Sequence, residues 1–91
     1  MAYITFQPHD YFNTILYTGN GGTQSLTGVG FQPDLVWNKR RTGANEHALT
    51  DAVRGTTKTL FSSLANAETT QSGGLTSFDS DGYSVGSSGE F

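Results

Sequence analysis

The sequence predicts an all-β fold, an antiparallel sandwich or barrel, on three observations. Short runs of β-branched and aromatic residues are separated by Gly, Asn and Asp turn residues at fairly regular intervals. The 12 Gly, with 9 Ser and 13 Thr, make 34 small or hydroxylated residues in a chain of 91, a composition of turns and lightly packed strands. No stretch carries a helical apolar stripe, since Ser62 to Thr70 offers two turns at best and reads as an irregular loop. Eleven aromatics (1 Trp, 4 Tyr and 6 Phe) spread along the chain argue against disorder.

The elements follow in order. Residues 1–13 read as an N-terminal arm or attachment segment, and 14–91 as the β domain. Thr14 to Thr18 is a strand that runs into Gly19-Asn20-Gly21-Gly22, and Thr23 to Thr27 returns as its hairpin partner. Gly28 to Asp34 lacks any period, and Pro33 makes it a bent connector. Leu35 to Arg40 is the clearest strand, with Leu35 and Trp37 on one face and Val36 and Asn38 on the other. Its start reads as buried on both faces and its end as solvated. Glu46 to Asp51 comes back antiparallel, with Ala48 and Thr50 on one face and His47 and Leu49 on the other. Asp51 to Gly55 turns the chain, with Gly55 as the left-handed residue, and Lys58 to Ser62 is the next strand. Leu75 to Phe78 and Tyr83 to Gly86 form a second hairpin around Asp79-Ser80-Asp81-Gly82.

Composition excludes several classes of function. The absence of Cys removes disulfides, thiolate metal sites and a cysteine nucleophile. Three of the five bases are Lys39, Arg40 and Arg41, in a chain of net charge −3, so nucleic acid is not an expected partner. The N-terminus lacks the basic start and apolar run of a signal peptide, and no segment approaches membrane-spanning length, so membrane insertion is not expected.

Asp79 and Asp81 suggest half of a calcium loop, but in that register Ser77 and Ser88 take the first and twelfth positions, where a carboxylate and a bidentate Glu belong. A turn in which the Asp side chains bond local backbone is the favoured reading, and no metal or other cofactor is expected. Lys39-Arg40-Arg41, beside Trp37 and Asn38, is a solvated strand end that could also grip phosphate, sulfate or an acidic sugar. Asp51 and Arg54, three apart around a Gly-ended turn, read as a structural ion pair. His9 and His47 have no metal spacing, and Gly86-Ser87-Ser88-Gly89 falls one residue short of a nucleophile elbow. Asp34, Glu46, Asp51 and Glu68 form no alternating acidic pair, so enzyme is the weakest class.

Four ordered blocks, Tyr17-Thr18-Gly19-Asn20-Gly21, Gly28 to Trp37, Asp51 to Gly55 and Leu75 to Tyr83, resemble a lectin-like, concanavalin-type domain of bacteriophage virion and tail-fibre proteins. It is most familiar from phages of cyanobacteria and marine bacteria. The resemblance implies a jelly-roll-like sandwich, incomplete at this length, because such domains continue with further strands and a Trp-rich segment. It implies a non-enzymatic virion protein, made in the host cytoplasm: a tail fibre or receptor-binding component that assembles as a homo-oligomer with other virion subunits and recognises host cell-surface glycan. The alternative is a capsid decoration or adaptor protein that contacts only virion subunits. Trp37 for stacking, Asn38 for amide hydrogen bonding, Lys39 and Arg40 for cationic attraction and His47 across the hairpin are the expected contacts. Sheet edges near Tyr83 to Phe91 are expected to be completed by further chain or a neighbouring subunit.

Overall fold

A computed structural model describes residues 11–88 and 91. Its seven strands are β1 (Gln24–Leu26), β2 (Leu35–Asn38), β3 (Ala48–Asp51), β4 (Lys58–Phe61), β5 (Thr69–Thr70), β6 (Leu75–Asp79) and β7 (Gly82–Val85). They form two antiparallel sheets, one in the order β1-β7-β6 and one in the order β2-β3-β4-β5. The larger sheet is a meander in which consecutive strands are neighbours. The smaller one closes the chain on itself by placing β1 beside β7.

The sheets face each other over a small core. Leu26 lies directly opposite Tyr83, and Leu75 opposite Val85. Val36 from the larger sheet packs onto this group, and Ile15, Tyr17, Phe78 and Phe91 close its margins. A backbone bridge joins the layers at one end. The Thr57 N–H donates to the Leu75 carbonyl at 2.9 Å, while the Gln71 N–H donates to the Thr57 carbonyl at 2.7 Å. To make both bonds Thr57 adopts a φ of 66°, a left-handed conformation that a β-branched residue resists.

The second expected hairpin forms as β6 and β7, with Ser80 and Asp81 between the pairing residues Asp79 and Gly82. Gly82 fits because it has no side chain, since a Cβ there would stand 1.8 Å from the Leu26 carbonyl oxygen. The antiparallel pairing of β2 with β3 and of β3 with β4 also follows the expected alternation. Thr50 and Thr59 are wholly buried on the inner face.

Four expectations are corrected. Thr14 to Thr18 is not a strand, and Thr23 to Thr27 does not pair with it; its core, Gln24–Leu26, pairs with β7 instead. Tyr83 to Val85 is not an open edge, because β7 is the middle strand of its sheet. Leu35, expected to be buried, is 59% exposed. Asn38, expected to be solvated, is buried at 6% exposure. The arm expected over residues 1–13 lies outside the described residues as far as residue 10. In its described part Tyr11 and Phe12 are exposed, and the Asn13 amide donates to the Val29 carbonyl at 3.0 Å.

Candidate functional site on the outer face of the larger sheet

Alternation along β2 and β3 divides the expected contact residues between two faces. Trp37 points outward and stays 62% exposed. His47 sits just before β3, diagonal to Trp37 across the ladder, because Trp37 pairs with Leu49. The indole N–H of Trp37 donates to Nδ1 of His47 at 3.0 Å, and the two rings meet edge-on with centroids 5.8 Å apart. An indole nitrogen only donates, so Nδ1 must carry the lone pair and the imidazole proton resides on Nε2. The contact fixes the Trp37 ring and leaves a second donor beside it.

The cations lie at the same end of the sheet. Lys39 folds back on the loop that follows it, its ammonium donating to the carbonyls of Arg40 and Gly43. The Arg40 guanidinium reaches the Asn45 side-chain oxygen at 3.4 Å. His47 is braced from behind, where its N–H donates to the Ser63 hydroxyl at 3.3 Å and that hydroxyl donates to Glu46.

Asn38 is not part of this group. It projects to the inner face, where the Tyr17 hydroxyl donates to its side-chain oxygen at 3.2 Å. Desolvation raises the Tyr17 pKa above its ordinary value, against the opposing effect of the Asn38 bond. Asn38 therefore ties the 14–18 segment to β2. The sequence marked it as polar but held no signal for its distant partner.

Leu35, Leu49 and Leu60 complete the outer face. Leu35 and Trp37 alternate with buried residues of β2, Leu49 pairs with Trp37, and Leu60 pairs with Leu49. This apolar stripe was legible in the alternation once β3 and β4 were in register. It ends, opposite Leu35, at Asp51. There the Arg54 guanidinium meets the Asp51 carboxylate at 2.8 Å, the Arg54 N–H donates to the same carboxylate at 2.7 Å, and Glu68 stands 3.7 Å from Arg54. The backbone bond to Arg54 lowers the Asp51 pKa, with its side-chain bond and charge adding to that.

Asp79 and Asp81 have other occupations. Asp79 accepts the hydroxyls of Ser77 at 2.8 Å and Ser84 at 2.7 Å. Because Ser84 gives its one proton to Asp79, the 3.1 Å contact between Ser25 and Ser84 is donated by Ser25. Asp81 accepts backbone N–H groups from the 28–30 connector. Among the described residues no group of three or more His, Asp or Glu could hold a metal ion.

A cleft of about 1520 Å³ beside β2 is lined by Tyr11, Phe12, Leu16, Leu35 and Trp37 among others. It exceeds the roughly 300–1,000 Å³ of a small-molecule pocket.

Residues 7–91 match the family model described as Domain of unknown function (DUF7483). The chain belongs to that family. No curated protein and no solved structure matches it. Among the described residues, the outer face around Trp37 and the cleft beside β2 are the candidate surfaces.

Proposed function

We propose that this member of the family is a non-catalytic module of a bacteriophage virion, carried on a tail fibre or receptor-binding appendage, which takes host-surface saccharide on the outer face of the larger sheet. Trp37 carries the reading. An indole that is 62% exposed, held edge-on by His47, presents a rigid apolar face of the kind on which sugar rings stack. The His47 Nε2–H, together with Lys39 and Arg40 at the end of β2, supplies donors for hydroxyl and acidic groups. Immunogold labelling of intact particles with antibody to the chain tests the placement. Label on tail appendages supports the reading, and label over the capsid lattice overturns it.

The second reading is a decoration or adaptor protein whose surfaces meet only other virion subunits. It is favoured by the exposed apolar side chains of Tyr11, Phe12 and Leu16, at 71%, 78% and 74% exposure. Contiguous exposed apolar surface of this kind marks protein contact more often than sugar contact.

A further inference from the structure

β2 is an edge strand. β3 pairs with it on one side, and among the described residues no strand lies on the other. The register tells which of its backbone groups are free. The Ala52 N–H donates to the Asp34 carbonyl at 2.8 Å, and Leu35 pairs with Asp51, so Asp34 and Ala52 are a hydrogen-bonded pair. Such pairs alternate along an antiparallel ladder. Val36 and Asn38 therefore direct their N–H and C=O groups towards β3, while Leu35 and Trp37 direct theirs to the open side.

Those two residues also hold the outward side chains of the strand, at 59% and 62% exposure. The window is short. Pro33 offers no N–H before it, and Lys39, Arg40 and Arg41 follow it with three charges, both of which are ways natural edges limit pairing.

We propose that the β2 edge pairs with the β2 edge of a second copy of this chain. The strands run antiparallel about a two-fold axis at Val36, joining two four-stranded sheets into one. With Leu35 opposite the partner's Trp37, the outward groups of both residues find partners within the window. Each Leu35 then exchanges two hydrogen bonds with one Trp37, and their side chains meet on the outer face.

Charge fixes the same direction. β2 begins beside Asp34 and ends beside Lys39 and Arg40. In the antiparallel register Asp34 lies across from the partner's Asn38, with the partner's Arg40 as its diagonal neighbour on the same face, within reach for a long side chain. A parallel arrangement would set like charges together at both ends. Among the described residues, a cleft lies beside β2, and the exposed apolar side chains of Tyr11, Phe12 and Leu16 are part of its lining.

The other edges suit pairing less well. β1 has three residues and β5 two, and the β6 ladder is irregular between Leu75 and Ser77. Pairing through β2 does not rest on the saccharide reading. It leaves the outer face open and doubles the Trp37 platform, which would raise avidity for a repetitive surface.

Sedimentation velocity of the full chain from micromolar to millimolar concentration tests it. The wild type forms a reversible dimer. Leu35→Pro, which removes an outward N–H and spares every N–H directed at β3, stays monomeric with unchanged far-ultraviolet circular dichroism. Since Pro could disturb folding, a charge exchange serves as the second arm: Asp34→Lys weakens the dimer at least about tenfold, and adding Arg40→Glu to it restores association. A wild type that remains monomeric over the whole range overturns the proposal. So does a dimer that Asp34→Lys leaves intact, or one that the double exchange fails to restore.

Discussion

Asp81 closes the Gly30 turn. Its carboxylate accepts the Gly30 N–H at 2.7 Å and the Gly28 N–H at 3.0 Å, while its own carbonyl accepts the intervening Val29 N–H at 3.0 Å. Three successive backbone donors converge on one residue 51 positions further along the chain from Gly30. The arrangement is a backbone nest, and it requires the positive φ of Gly28 and Gly30, 88° and 93°. It pins the connector between the two sheets to the turn of the β6–β7 hairpin.

Asp81→Asn should therefore destabilise the fold by more than an ordinary exposed substitution such as Thr76→Ala, which is expected to stay within about 0.5 kcal/mol. The Gly28 and Gly30 bonds hold the Asp81 pKa below its ordinary value. A carboxylate lowered in the folded state contributes stability above its unfolded pKa, and that contribution disappears as pH falls through the folded one. Chemical denaturation between pH 7 and pH 2 should show a steeper acid loss for the wild type than for Asp81→Asn.

At alkaline pH the tyrosines set the limit. Burial pushes the Tyr83 pKa up to about 12, with the neighbouring Tyr17 adding to it, and burial raises Tyr17 as well. For a group whose folded pKa exceeds its unfolded one, stability is complete below the unfolded value, near 10, and declines as pH rises towards the folded value. Denaturation midpoints should thus fall between pH 10 and pH 12, and less steeply in Tyr83→Phe. A midpoint unchanged across that window would contradict the burial of Tyr83.

The hydroxyl of Thr50 is wholly buried and, among the described residues, has no hydrogen-bond partner. Thr50→Val keeps the shape and removes the stranded polar atom. It should stabilise the protein by about 1 kcal/mol, read from urea unfolding at constant slope. Gly82→Ala should do the opposite. Its new methyl would collide with the Leu26 carbonyl, costing at least the roughly 1–3 kcal/mol of an overpacked site and loosening β1 from β7.

The bond between Trp37 and His47 gives a spectroscopic handle, because Trp37 is the one tryptophan of the chain. Removing the imidazole takes away the acceptor that the indole uses. Emission of His47→Ala, recorded at one pH, should therefore differ from that of the wild type in maximum or intensity. Identical spectra would show that the rings do not share a hydrogen bond in solution.

These relationships differ in how far they could be read from the sequence. The alternation of Leu35, Val36, Trp37 and Asn38 gave both faces of β2, and the Asp-Gly turn gave the β6–β7 hairpin, because each depends on residues a few positions apart. The Asn20-Gly21 step misled. Its turn chemistry is real, with the Asn20 side chain accepting the Gly22 N–H at 2.9 Å. Yet the strand after it pairs with β7, where Leu26 meets Tyr83 across the core. Burial of Leu26 and Tyr83 together outweighs a local hairpin, and nothing within a short window encodes that. Asn38 failed for the same reason, since its partner Tyr17 lies 21 positions away.

The proposed function puts saccharide on the outer face around Trp37. Titrating the full chain with purified surface polysaccharide of the proposed host bacterium, while following the emission of Trp37, tests it most directly. The account predicts a saturable spectral change, with affinity reduced at least about tenfold in His47→Ala and in Lys39→Ala/Arg40→Ala. A spectrum that stays constant at saturating polysaccharide, or affinity that neither variant alters, would contradict it.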